Sequence, residues 1–201
     1  MKFVLATFNR DKARELRSLI RAPWIELVPL YELEGSRVPP ESGRTLVENA
    51  LEKARAAVEN TGLPAIGDDT GLEVDALGGA PGIYAARYAG VGATYADNIA
   101  KLLDALKRTP PEARTARFRT VCVACFPEDE WMGRKPDQIG EGVLEGRIVE
   151  APRGRDGFGY DPVFEVAGQG RTLAEMSLEE KNALSHRARA AQDLVRKLSA
   201  V

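Results

Sequence analysis

Two adjacent carboxylates and a hydroxyl, Asp68-Asp69-Thr70, interrupt an otherwise apolar run between Ile66 and Leu72. Their polarity amid apolar neighbours marks the stretch as the candidate site of chemistry. Adjacent side chains on an extended segment point in different directions, so one aspartate can orient while the other reacts. Gly67 and Gly71 let the backbone turn sharply on either side. The competing reading is an acidic turn between two strands, since Asp, Thr and Gly are ordinary turn residues.

Other polar groups cluster at a distance in sequence. Thr7-Phe8-Asn9-Arg10-Asp11-Lys12 lies where an apolar run gives way to a helical pattern. Helix amides and the helix dipole favour an anion at such a junction, and Arg10 and Lys12 add charge. A polar loop with solvated basic residues fits equally, because there is no glycine-rich phosphate loop. Glu41 sits in a loop rich in Gly and Pro, and Arg87 in a long loop could reach a phosphate or pair with a carboxylate. Phe158 in a glycine-rich loop reads as a stacking platform for a base or as a buried anchor. His186, the one histidine, stands between Ser185 and Arg187 with Lys181 one turn earlier; a lone helical histidine is commonly a surface or capped residue.

These groups need elements to hold them. Lys2 to Thr7 reads as a buried strand, and Asp11, Ala13, Leu16, Leu19 and Ile20 as the apolar repeat of a following helix. Ile25 to Val28 is a short strand. Thr45-Leu46-Val47-Glu48 has capping-box spacing, and Leu46, Val47, Ala50, Leu51, Ala54, Ala57 and Val58 share one helical arc, with Asn49 and Lys53 on a flank. Leu72 to Val74 leaves the acidic stretch as a strand, and Thr94 to Asp97 caps a helix ended by Pro110-Pro111. Arg117 to Phe126 and Gly140 to Glu150 read as strands, and Trp131 to Pro136 as a turn. Pro162 sets Asp161 as extended. Ser177 caps the last helical segment, which runs to Ser199 and is interrupted at Ser185-His186-Arg187.

Composition narrows the class. The 201 residues suit one domain with a sizeable core, and 28 basic against 30 acidic side chains leave a net charge of −2. With pI near 5.7 and no basic stripe, a small ligand is expected rather than nucleic acid. No apolar stretch is long enough to span a membrane and the N-terminus lacks a signal-peptide core, so a cytoplasmic protein is expected. Cys122 and Cys125 have metal-pair spacing, but a strand sends residues three apart to opposite faces, and core packing is expected for both.

Four clusters carry a family signature: Ala6-Thr7-Phe8-Asn9-Arg10-Asp11-Lys12 with Glu15, Asp68-Asp69-Thr70-Gly71-Leu72, Phe158-Gly159-Tyr160-Asp161-Pro162, and Lys181 with Ser185-His186-Arg187. In joint order they resemble the Ham1-like inosine/xanthosine triphosphate pyrophosphatases, with Leu77-Gly78-Gly79-Ala80-Pro81-Gly82 and Glu48-Asn49-Ala50 as further matches. The resemblance implies an α/β fold with a long mixed central sheet flanked by helices, a single bilobal domain over residues 1–201 whose lobes enclose a substrate cleft, and a homodimer. It implies magnesium-dependent hydrolysis of ITP, dITP and XTP to the monophosphate and pyrophosphate, keeping them out of DNA and RNA. By this likeness Thr7, Phe8, Asn9, Arg10, Asp11 and Lys12 hold the triphosphate, helped by Lys53. Glu41 and Asp69 bind the metal, Asp69 also acts as the base, and Thr70 touches the substrate. Phe158, Gly159, Tyr160, Asp161, Lys181, His186 and Arg187 surround the purine.

One position departs from the family, which usually has glycine where this chain has Phe8. If that glycine supplies a positive φ or a close approach to phosphate, Phe8 must meet the need with a side chain in the way; otherwise its ring points into the core. Two competing functions are a nucleotide-binding sensor without turnover and a pyrophosphatase for modified pyrimidine nucleotides. Intact Asp68, Asp69, Glu41 and Lys12 favour an enzyme over a sensor, and the Phe158 and Ser185 clusters favour purines by resemblance.

Overall fold

The computed structural model describes residues 1–129 and 133–200. The turn expected over Trp131 to Pro136 begins outside the described residues. The fold is mixed α/β. Phe3, Val4 and Leu5 are fully buried in β1 (Lys2–Leu5), which pairs in parallel with β2 (Glu26–Pro29), Phe3 opposite Leu27, and with β3 (Ala65–Val74), Leu5 opposite Ile66. Then come β4 (Pro81–Gly82), antiparallel to β3, β5 (Thr115–Cys125), the hairpin β6 (Glu128–Asp129) and β7 (Gly133–Arg134), β8 (Gln138–Ile148), and β9 (Phe164–Val166), antiparallel to β8. The hydrogen-bonded order of the main sheet is β2-β1-β3-β5-β8-β9, with β4 on β3.

The helices are α1 (Arg10–Leu19), α2 (Leu46–Thr61), α3 (Tyr95–Ala105), α4 (Leu178–Leu184) and α5 (His186–Leu198). The starts of α2, α3 and α4 follow the capping residues read from the sequence, Thr45, Thr94 and Ser177. Thr94 with Asp97 and Ser177 with Glu180 form complete capping boxes, whereas Thr45 accepts from the Glu48 amide but the Glu48 carboxylate accepts from the Arg44 amide at 2.6 Å. Ser185, with ψ 156°, breaks the last segment between α4 and α5 because an extended residue cannot continue an α-helix.

The chain gathers into two compact units: Met1–Asp69 with Thr120–Gly142 and Arg187–Val201, and Thr70–Arg119 with Val143–His186. In the first, Phe3, Leu5, Leu16, Ile66, Phe126 and Leu194 share a core, and Phe3 meets Phe126 edge-on. Cys122 and Cys125 are both buried, and burial pushes the Cys122 thiol up to about 12, which makes it inert. In the second, Leu72, Leu102, Phe118, Ile148, Phe164 and Met176 form a separate core.

Two local expectations are corrected. The acidic stretch is neither a turn nor the end of a strand: Ala65–Val74 is one continuous strand through Asp68 and Asp69. Gly67 and Gly71 are not among the residues with positive φ. A Cβ on Gly67 would lie 2.2 Å from the Ala50 carbonyl oxygen and 2.9 Å from the Ala54 nitrogen, so this glycine serves the close approach of β3 to α2. Asp161, in turn, opens a 3-10 turn, Asp161–Val163, rather than an extended segment. Bonds from the Asp161 amide to Phe158 O and from the Val163 amide to Tyr160 O close successive turns there, and together they outweigh the extended preference before proline.

Candidate active site

In the first unit the carboxylates of β3 meet cations from three helices. Asp68 Oδ2 lies 3.2 Å from Lys12 Nζ of α1 and 3.5 Å from Arg187 Nε of α5. Arg187 Nη1 also donates to Glu15 of α1. Burial alone raises the Asp68 carboxyl, but Lys12, Arg187 and Lys53 outweigh it and hold the group well below the usual carboxylate range. Burial likewise opposes the Arg187 charge, and Glu15 and Asp68 overcome it.

Asp69 turns to α2. Lys53 Nζ donates to Asp69 Oδ1 at 2.9 Å and to Glu41 Oε1 at 3.0 Å, and Asn49 Nδ2 donates to Asp69 Oδ2 at 3.1 Å. Lys53 and Asn49 are buried, one turn apart on the same flank of α2, so both reach one carboxylate. Burial lowers the Lys53 affinity for its proton, but Asp69, Asp68 and Glu41 more than compensate and keep the ammonium charged. The buried Asn49 Oδ1 and Asp68 Oδ1 have no hydrogen-bond partner among the described residues. Such orphaned oxygens suit a site that receives a ligand or water.

The junction before α1 is built as a helix N-terminus should be. Asn9 Oδ1 accepts from the amides of Asp11 and Lys12 at 3.0 and 3.1 Å, and Thr7 Oγ1 accepts from the Asn9 amide at 3.1 Å. Of this segment, Lys12 reaches Asp68, Arg10 lies over the Tyr31 ring at 5.1 Å, and Asp11 faces Arg14 at 3.5 Å. Phe8 is 38% exposed, so its ring does not enter a core. Among the described residues no non-glycine has a positive φ, so Phe8 replaces the family's glycine without backbone strain.

The second unit carries the other candidates. Asp161 is buried, and its Oδ2 accepts from Lys181 Nζ at 2.6 Å and from the Phe158 amide at 2.9 Å. The Lys181 ammonium lies 4.9 Å from the Phe158 ring centroid, and Tyr95 approaches the same ring at 5.9 Å. Gly157 makes this possible: its φ is +76°, and a Cβ there would sit 2.1 Å from Asp161 Oδ2. Gly159 also has a positive φ, 63°. Tyr160 is buried and donates to Ala85 O at 2.9 Å, and burial pushes its phenol above the usual range. His186 is buried rather than on the surface and stacks on Phe118 at 4.5 Å.

Thr70, half-buried, follows Asp69 directly on β3. Arg87 lies over Tyr84 at 5.3 Å. Arg187, which the resemblance assigns to the purine, is tied to Glu15 and Asp68. In the sequence Asn49 stands beside Lys53 on a helix flank and within the family match Glu48-Asn49-Ala50, with no role of its own. Two polar side chains on that flank, next to the apolar arc, were the available sign that it serves Asp69.

Comparison with known proteins places the whole chain in one group. The Ham1 family profile matches residues 3–197. A dITP/XTP pyrophosphatase of Methylococcus capsulatus is 51% identical, covering 100% of this chain and 97% of its own. One of Elusimicrobium minutum is 46% identical over 98% of this chain and 100% of its own. Among solved structures, a HAM1 protein from Coxiella burnetii aligns with a TM-score of 0.86 at 42% identity, covering 100% of both chains. The Staphylococcus aureus Ham1 protein aligns at 0.85 and 35% identity, covering 100% of this chain and 99% of its own. With a family match over nearly its full length and full-length relatives at this identity, the chain belongs to the Ham1 family.

Proposed function

We propose that this chain hydrolyses the non-canonical purine nucleoside triphosphates ITP, dITP and XTP to the monophosphate and pyrophosphate, clearing them before they enter DNA or RNA. The observation that carries the reading is the Glu41–Lys53–Asp69 array, in which one ammonium stands within 3.0 Å of two carboxylates. Attack at the α-phosphorus needs a base for water and positive charge for the departing pyrophosphate. Asp69, oriented by Asn49 and Lys53, would take the proton, and Lys53 and Lys12 would bind phosphate oxygens. The names of the relatives, dITP/XTP pyrophosphatase, support the same substrates.

Magnesium is part of the proposal. Glu41 and Asp69 offer hard oxygen donors converging on one cation, Lys53, and magnesium favours one or two carboxylates completed by phosphate and water. Among the described residues no group of three or more His, Cys, Asp or Glu gathers as a metal cage, so Glu41 and Asp69 would hold the ion together with the substrate. When bound it would neutralise charge on the phosphates.

Base choice would rest on Lys181, held by Asp161 beneath the Phe158 ring. An ammonium donor suits a 6-keto oxygen, whereas the 6-amino group of adenine sets donor against donor and leaves a group unpaired. Phe158 would stack on the purine. Guanine shares the 6-keto group, so its rejection has to come from position 2.

Two further parts of the reading are a homodimer and a cytoplasmic location. No helix among the described residues is long and apolar enough to cross a membrane. Light scattering should give twice the 21.9 kDa chain mass, and a monomer mass would remove the dimer. The function itself is tested by rates on ITP, XTP, GTP and ATP with magnesium and after chelation. High rates on ITP and XTP, low rates on ATP and loss on chelation are expected. Equal rates on ATP would overturn the specificity, and unchanged rates after chelation the metal.

A further inference from the structure

We propose that Ser42 and Glu52 are positioning residues that fix where the Glu41 carboxylate stands; this rests on Glu41 belonging to the magnesium and phosphate array. Glu41 is the residue before Ser42, and its side chain is 37% exposed, so packing does little to hold it. Ser42 is clamped instead. Its amide donates to Glu52 Oε2 at 2.7 Å and its hydroxyl to Glu52 Oε1 at 2.6 Å, so both carboxylate oxygens of one α2 residue grip one loop residue. Charge-assisted, two-point bonds of this kind define orientation as well as distance.

The neighbouring residues extend the clamp. A Cβ on Gly43 would lie 2.7 Å from Glu48 Cβ and 2.8 Å from the Asn49 nitrogen, so the loop runs directly against α2. The Arg44 amide donates to Glu48 Oε2 at 2.6 Å, using the carboxylate that a capping box would have turned to Thr45. Residues 42 to 44 are thus seated on the first turns of the helix that carries Asn49 and Lys53. One peptide separates clamped Ser42 from Glu41, whose carboxylate reaches Lys53 at 3.0 Å. The Ser42 bonds also hold the Glu52 carboxyl below its ordinary range, so it stays an acceptor at neutral pH.

The test reads metal affinity without turnover. Manganese binding, followed by electron paramagnetic resonance in the presence of α,β-imido-ITP, is compared for wild type, Glu41→Gln, Ser42→Ala, Glu52→Ala and the Ser42→Ala/Glu52→Ala double variant. Glu52→Ala should weaken manganese binding about tenfold, the low end for groups that orient a ligand. The magnesium concentration for half-maximal rate should rise by the same factor, with a much smaller fall in kcat. Ser42→Ala should do less, and the double variant no more than Glu52→Ala, because the two groups act as one unit. Both side chains lie outside the core, so the variants should keep the wild-type melting temperature; if Glu52→Ala does not, Ser42→Ala alone decides. Weakened binding in Glu41→Gln with wild-type binding in Ser42→Ala and Glu52→Ala overturns the positioning role. Wild-type binding in Glu41→Gln instead removes Glu41 from the metal site, and the proposal with it.

Discussion

Asp68 and Asp69 are neighbours on β3 yet answer to different cations: Asp68 lies 3.2 Å from Lys12, and Asp69 lies 2.9 Å from Lys53. The alternation of a strand separates their carboxylates, and the helices on either side supply the charges. Asp68 thereby ties α1 and α5 to β3, while Asp69 shares Lys53 with Glu41.

Asp69→Asn should abolish turnover while nucleotide still binds. Amide replaces the proposed base and metal ligand but keeps the shape, and loss of a general base costs about a hundred- to ten-thousandfold in rate. Single-turnover rates and equilibrium binding of α,β-imido-ITP check this. Residual activity near wild type would remove Asp69 from the chemistry.

Asp68→Asn should destabilise the fold at pH 7 by about 3 kcal/mol, because it leaves Lys12 and buried Arg187 with one partner fewer. The pH dependence has a definite sign. The folded carboxyl titrates below its unfolded value of about 3.9, so its contribution is complete above that pH and is lost as pH falls toward the folded value. Urea midpoints between pH 5 and 2 should therefore fall more steeply for wild type than for Asp68→Asn. Parallel curves would deny Asp68 this role.

Gly67→Ala should cost about 1–3 kcal/mol or more, the range for overpacking, because the new Cβ meets the Ala50 carbonyl oxygen at 2.2 Å. That contact is backbone, so α2 must shift and carry Asn49 and Lys53 away from Asp69. Lower urea stability and slower ITP turnover should appear together. An unchanged midpoint would contradict the close approach.

Lys181→Ala should lower the ITP-to-ATP ratio of kcat/KM by at least about tenfold, since a donor aimed at a 6-keto group is the kind of contact that discriminates strongly. The loss should fall mainly on ITP. An unchanged ratio would take Lys181 out of base reading.

The elements with periodic apolar residues and a capping side chain, α2 and α3 above all, were legible in the sequence, as was the break at Ser185. β3 was not. Gly67, two aspartates and Gly71 together spell a turn, and the true reason for Gly67 is the backbone of Ala50 and Ala54, which no local pattern contains. The residue types of the candidate site were legible too, but not their pairings. Lys12 and Asp68 meet from distant strands and helices, and Arg187 reaches Glu15 across 172 residues. The resemblance assigns Arg187 to the purine, and its ion pairs with Glu15 and Asp68 were not readable from local sequence. At Phe8 the local rule warned of strain, and an ordinary φ with an exposed ring removed it.

The central claim is attack of water at the α-phosphorus, and the position of oxygen from labelled water tests it most directly. Hydrolysis of ITP in ¹⁸O water should place the label in the inosine monophosphate, with pyrophosphate unlabelled. Label in pyrophosphate would move the attack to the β-phosphorus, and diphosphate with labelled orthophosphate would move it to the γ-phosphorus; either result contradicts the account.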